Sequence, residues 1–190
     1  FLIGYHEVFI SPDRGNTFKQ ASTNLTGGED KDLRNVDMSP VDTNFILASY
    51  ANILYSTADY GKTWKSLTLP TSFDISSIEF HPTDTNSIWR TRSGLGTFKV
   101  MESKDRGKTW KNISTNFVNT PALIVRYDRA SDQLFAGTDI GLFTTDADKI
   151  DWKYYGTGLP NTSVTDIEIH QASRRMYIST YGRGFYSIDL

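Results

Sequence analysis

Three aspartates are the first residues whose type and spacing suggest chemistry. Asp13, Asp59 and Asp105 sit in the octapeptides Ser11-Pro12-Asp13-Arg14-Gly15-Asn16-Thr17-Phe18, Thr57-Ala58-Asp59-Tyr60-Gly61-Lys62-Thr63-Trp64 and Ser103-Lys104-Asp105-Arg106-Gly107-Lys108-Thr109-Trp110. A pair of carboxylates held within several ångströms across a sugar is what glycoside hydrolysis requires. These aspartates, however, recur at a constant interval of 46 residues. Each belongs to its own copy of one local unit, so they are not expected to converge on one substrate. The same eight residues also specify a tight turn. An Asp carboxylate can accept backbone N–H bonds there. Gly15, Gly61 and Gly107 supply a positive φ, and the hydroxyls of Thr17, Thr63 and Thr109 close the loop. The rings of Phe18, Trp64 and Trp110 are expected to be buried between sheets.

Other chemistries find fewer residues. The chain has no cysteine and three histidines, His6, His81 and His170. That excludes disulfides and thiolate metal sites. His81 and His170 fall at equivalent places of a repeat, which explains them without a metal, and zinc-type ligand spacing is absent. Gly94-Leu95-Gly96 reads as a turn, with no phosphate-cradling loop ahead of a helix. The acidic run Asp146-Ala147-Asp148-Lys149-Ile150-Asp151 lacks the spacing and Gly of an EF-hand loop and reads as a solvated turn. No cofactor and no metal is implied.

The elements that position these residues form a repeat. A degenerate fourth copy of the octapeptide ends at Trp152, with Ala147 at the Asp position and Lys149 at the Gly position. In phase with it, Val36-Asp37-Met38-Ser39-Pro40 matches Ile78-Glu79-Phe80-His81-Pro82, with weaker copies at 125–128 and 167–170. Each is a short alternating strand followed by a polar turn. Two further short strands lead to the octapeptide, and a fourth after it completes each unit. Four strands per 40–50 residues is the period of a β-propeller blade. With strands named A to D from the axis outward, residues 33–68, 75–115 and 121–156 read as full blades. Residues 1–21 supply strands B to D of an earlier blade, and 164–190 supply strands A to C of a last one. The fold class is therefore all-β: residues 1–190 are one propeller region of four-stranded antiparallel blades, and the open ends read as the C-terminal part of a larger propeller.

Composition agrees. The aromatic share is 13%, and apolar runs are short, as in proteins whose rings cover pleated sheets. The formal net charge of −2 gives no electrostatic reason to expect nucleic acid or an anionic membrane as partner. No run approaches the roughly 18 apolar residues of a membrane span, so membrane insertion is not expected. Phe1 to Tyr5 lack a basic leader and a cleavage site; they read as a strand already under way.

The octapeptides resemble the Asp-box, or bacterial neuraminidase, repeat. The closing stretch Ile178-Ser179-Thr180-Tyr181-Gly182-Arg183-Gly184-Phe185-Tyr186 is similar to the last blade of secreted sortilin-like and xyloglucanase-like propellers. The resemblance implies a β-propeller with the boxes bridging strands C and D. It does not carry over the sialidase chemistry, since no early Arg-Ile-Pro motif is present. Nor does it supply the xyloglucanase aspartate pair, which lies in a cleft between two propellers. Asp13, Gly15, Thr17 and Phe18 are thus assigned to structure, as are Asp59, Gly61, Thr63 and Trp64, and Asp105, Gly107, Thr109 and Trp110. No catalytic residue is assigned.

A propeller collects its D–A and B–C loops on one face, and ligands favour such loops because the sheets hold them rigid. That face is expected to carry Arg34, Arg90, Arg92 and Arg183, with Phe73, Asp74, Asp139 and Tyr181. Arginines beside aromatics suit carboxylates, sugars or peptides. The expected function is a non-catalytic binding or scaffold module of a secreted or cell-surface bacterial protein. Its partners would be a protein or glycan ligand and the rest of its own propeller or a larger assembly. Sequons at Asn24, Asn112 and Asn161 matter only in a glycosylating pathway. Two alternatives are a glycoside hydrolase fragment with catalytic residues elsewhere, and an assembly factor docking a protein complex.

Overall fold

The computed structural model describes residues 2–3, 5–28, 31–67, 69, 74–156 and 158–190. Among them every regular element is a β-strand, and no helix is long and apolar enough to cross a membrane. The first sheet comprises β1 (Leu2–Ile3), β2 (Val8–Ile10) and β3 (Lys19–Gln20). The second holds β4 (Asn35–Met38), β5 (Ile46–Tyr50), β6 (Ile53–Thr57) and β7 (Lys65–Leu67). The third holds β8 (Ile75–Phe80), β9 (Ile88–Arg92), β10 (Val100–Ser103) and β11 (Lys111–Asn112). The fourth holds β12 (Ala122–Asp128), β13 (Gln133–Thr138), β14 (Gly141–Asp146) and β15 (Lys153–Tyr154). The last holds β16 (Val164–His170), β17 (Arg175–Thr180) and β18 (Gly184–Asp189). Within each sheet spatial order follows chain order, as in a meander. The chain is a partial β-propeller.

Contacts divide the chain into two compact units, residues Phe1–Ile88 with Ser103–Trp110, and Trp89–Glu102 with Lys111–Leu190. In the first unit, β5 is buried on both faces. Ile46 and Ala48 pack with Val8, Ile10 and Leu33, whereas Leu47 packs with Leu54, Ile75, Ile78 and Phe80. A strand covered on both sides reads as an unbroken apolar run, and Ile46-Leu47-Ala48 is one. In the second unit, Phe135 and Leu142 pack with Val164, Ile167, Met176 and Ile178. Trp89 stacks on Tyr127, centroids 5.0 Å apart, in a separate cluster with Val125 and Trp152. Each such side chain contributes about 1.5–3 kcal/mol of burial.

The three octapeptides form one repeated turn. Asp13 Oδ1 accepts the Thr17 N–H at 2.7 Å, and its Oδ2 accepts the Thr17 hydroxyl at 2.6 Å. Asp59 with Thr63 and Asp105 with Thr109 repeat both bonds. The leading hydroxyl of Ser11, Thr57 or Ser103 donates to the Asp and accepts the Gly N–H. The residue before each Gly is also left-handed: φ is 60° at Arg14, 59° at Tyr60 and 63° at Arg106. In the fourth copy the carboxylate is missing, and Thr145 Oγ1 instead accepts the Asp151 N–H at 2.8 Å. The rings behave less uniformly than expected. Trp64 and Trp110 are half-buried, and Trp152 is buried. Phe18 corrects the expectation of burial: it is 43% exposed.

The turns after the first strand of the second to fifth sheets share a second device. The residue following the strand core caps the turn with an acceptor. Ser39 accepts the Asp42 N–H, His81 Nδ1 accepts the N–H groups of Thr83 and Asp84, and His170 Nδ1 accepts the Ser173 N–H. These bonds give both histidines a turn-capping role through Nδ1. Asp128 occupies the same place in the fourth sheet. It is fully buried and accepts from Ala130, Ser131 and both terminal nitrogens of Arg174.

Candidate functional site

Arg34 and Asp74 each lie immediately before the first strand of a sheet, and backbone hydrogen bonds explain why they meet. The Arg34 N–H donates to Ser49 O at 2.8 Å, fixing the entry to β4. The Ile75 N–H donates to Ala51 O at 2.8 Å, so β8 starts against the β5–β6 turn. That turn is tight because Ala51 adopts φ 49°. Asn35 Nδ2 donates to both Ser49 Oγ and Ile75 O, joining the two strand entries. Leu33, 6% exposed, anchors the preceding segment in the core. Asp32, Arg34 and Asp74 are consequently left exposed around one open cavity of about 600 Å³, with Tyr50 and Ala51 as its other wall.

One guanidinium, two carboxylates and a phenol therefore line this cavity. Arg34 offers a planar fork suited to a carboxylate. Asp32 and Asp74 accept from hydroxyls or cationic groups, and Tyr50 offers a ring and a hydroxyl. Arg34 and Asp74 were both expected from the sequence. Phe73 lies outside the described residues.

The remaining expected residues lie in the second unit. Asp139 and Tyr181 are joined through Ser163: its hydroxyl donates to Asp139 Oδ1 at 3.2 Å, and its carbonyl accepts the Tyr181 N–H at 2.9 Å. Tyr181 is 81% exposed, and Arg183 is exposed two residues on. Arg90 and Arg92 require a correction of place. Both lie inside β9 and are buried, not displayed on a loop. Burial, with the Arg92 charge second, pulls the Arg90 guanidinium down to about 10. Burial also lowers Arg92, and it lowers Lys99 with Arg92 adding to the effect. Arg92 donates to Leu95 O, and Lys99 Nζ donates to Gly94 O at 2.6 Å. These two cations hold the 93–99 loop through its carbonyls.

The sequence model of the Sortilin-Vps10 family, described as "Sortilin, neurotensin receptor 3", matches residues 6–139. The chain belongs to the Sortilin-Vps10 family. No curated protein matches it. Solved structures similar to this Sortilin-Vps10 chain include a GH74 enzyme of Niastella koreensis, with TM-score 0.72 and 17% identity over 95% of this chain. An ancestral GH74 enzyme gives TM-score 0.68 and 16% identity over 93% of the chain. The GH74 xyloglucanase from Xanthomonas campestris gives 0.68 and 12% over 83%. Identities this low show the propeller fold alone. The chain spans only 25%, 32% and 29% of the ancestral, Niastella and Xanthomonas chains respectively.

In this Sortilin-Vps10 chain, Asp32 and Tyr50 line the cavity although residue type alone singles out neither. A signal for Tyr50 existed in the repeat. It ends β5 where β13 and β17 end on Thr138 and Thr180, each hydroxyl bonded within its own hairpin.

Proposed function

We propose that the chain is a non-catalytic ligand-binding part of a propeller, and that its ligand, a peptide or a glycan, presents a carboxylate to Arg34. The observation that carries this reading is the single cavity in which Arg34 stands with Asp32 and Asp74. Such a mixed set fixes the orientation of a ligand bearing both an acid and hydrogen-bond donors. That the family includes a neurotensin receptor favours binding over turnover. We further propose that the protein works outside the cell or on its surface, with the rest of its own propeller or a larger assembly as a second partner.

Two carboxylates on one cavity, together with GH74 enzymes among the structural neighbours, also favour a hydrolase reading. One set of measurements separates the two. Calorimetric titration with acidic peptides and acidic oligosaccharides is expected to find saturable binding by one class. Arg34→Ala should weaken it about threefold to fivefold, the worth of one charge-assisted bond at an exposed position. Unchanged affinity in Arg34→Ala overturns the site assignment. Glycoside turnover that disappears in Asp32→Asn or Asp74→Asn overturns the non-catalytic reading.

A further inference from the structure

A second cavity, in the first unit and separate from the Arg34 site, exists because the repeat is broken. Its volume is about 320 Å³, and its walls include Ile10, Pro12, Ala21 and Tyr60, with Lys19 and Lys62 at its edge. Eight residues after the turn Asp, the repeat places Leu67, Ile113 and Tyr155, but Ala21 in the first copy. Beside the third turn Leu67 fills the equivalent space: its Cδ1 comes within 3.6 Å of where a Cβ on Gly107 would sit. Beside the second turn the only side chain Ala21 offers is its methyl, next to its carbonyl oxygen, which approaches Gly61 closely. Three residues before the Asp position, Ile10 stands where the other copies have Ser56, Glu102 and Thr144. Directly after the Asp, Tyr60 stands where the first and third copies have Arg14 and Arg106, with the same left-handed backbone.

The turn bonds themselves are unchanged, since Asp59, Thr57 and Thr63 make the set seen in the other two copies. The fold therefore does not require these departures. Together they replace polar or space-filling side chains by apolar walls around an open volume. Among the described residues neither Lys19 nor Lys62 takes part in an ion pair, and the neighbouring Asp13 and Asp59 are occupied by their own turns. The cavity is open to solvent on one side, and its volume of about 320 Å³ has room for a ring and a short tail.

We propose that this cavity binds a small apolar carboxylate, its aryl or branched alkyl body against Ile10, Ala21 and Tyr60 and its carboxylate between Lys19 and Lys62. The proposal is independent of the Arg34 reading. The probe is 3-phenylpropionate, titrated into the full chain at low ionic strength, with 3-phenylpropan-1-ol as its uncharged counterpart. The reporter is the Trp64 indole N–H resonance, because Trp64 Nε1 donates to Ala21 O at 2.7 Å on the cavity wall. Saturable shifts of that resonance are expected, with the alcohol about fivefold weaker, as two exposed cations warrant. Ala21→Leu, which restores the repeat residue, should abolish the shifts. Tyr60→Asn removes the ring at an exposed position whose left-handed backbone Asn tolerates, so it folds even if the core change does not. It should weaken binding severalfold. Absence of saturation, or binding unchanged in Tyr60→Asn, overturns the site. Equal affinity for acid and alcohol overturns the assignment of an anion.

Discussion

Replacing Asp128 by Asn tests whether the turn-capping carboxylate is a main fastening of the second unit. Its side chain is fully buried, while the Arg174 side chain that meets it is 32% exposed. Arg174 donates to the two carboxylate oxygens at 2.7 and 2.6 Å, and Ser131 Oγ donates at 2.5 Å. Asparagine keeps the shape and one acceptor, but it turns an amide donor toward the guanidinium. One charge-assisted bond is lost and a buried donor is left facing a cation. Bonds to charged groups are worth about 1.5–3 kcal/mol, and the partial exposure of Arg174 moderates the loss. The expected cost is about 2–3 kcal/mol at pH 7, read as a lower urea midpoint at unchanged m.

The pH dependence makes this test specific. Arg174 holds the Asp128 carboxyl well below the usual carboxylate range, with Ser131 and Ala130 adding to the effect. A depressed folded-state pKa gives stability that is fully present above the unfolded value of about 4 and is lost as pH falls below it. The gap between wild type and Asp128→Asn should therefore narrow steadily from pH 4 downward. Arg174→Met should flatten the same limb. Because the carboxylate is buried, added salt should barely alter the gap at pH 7. A cost under about 0.5 kcal/mol, or a gap equally wide at pH 7 and pH 2, would refute the reasoning.

Two further outcomes follow from the repeated turn. Gly107→Ala should cost about 1 kcal/mol, the strain of φ 81°, since a Cβ there meets nothing closer than 3.5 Å. Gly61→Ala has a similar φ of 88°, but its Cβ would lie 2.5 Å from the Ala21 carbonyl oxygen, adding about 1–3 kcal/mol of overpacking. Equal destabilisation of the two variants in urea would show that the close approach is not there. The bonds from Thr63 and then Thr57 lower the Asp59 carboxyl to about 2. Its stabilising contribution should thus be present above about pH 4 and be lost as pH falls through about 2. Carboxylate carbon shifts followed against pH measure this, and Thr63→Val, which keeps the backbone bond, should move the titration toward the ordinary range; no movement would remove the Thr63 hydroxyl as a cause.

Much of the architecture was legible because it is periodic. A turn that needs Asp, Gly and Thr at fixed offsets must show those residues wherever it occurs, so three copies at one interval reveal four-stranded sheets without any structure. The left-handed residue ahead of each Gly was not legible, since Arg14, Tyr60 and Arg106 share no chemical type. The exposure of Phe18 was hidden for a different reason. Its repeat position names an aromatic ring, but cover for that ring comes from another part of the chain.

The candidate sites show the same division. Sequence alone determined the all-β class, the repeat and the structural duty of Asp13, Asp59 and Asp105, because local hydrogen bonding within eight residues fixes them. It also put Arg34 and Asp74 on the shortlist, as residues of the loop face that a propeller offers to ligands. Only the tertiary structure decided that these two line one cavity, through Asn35 and Ala51 joining β4, β5 and β8. Only it moved Arg90 and Arg92 from a loop into a buried strand, and only it paired Asp128 with Arg174, 46 positions apart. Repetition tells which residues play equivalent local parts. Which side chains touch depends on sheets brought together across tens of residues, and that is settled by packing.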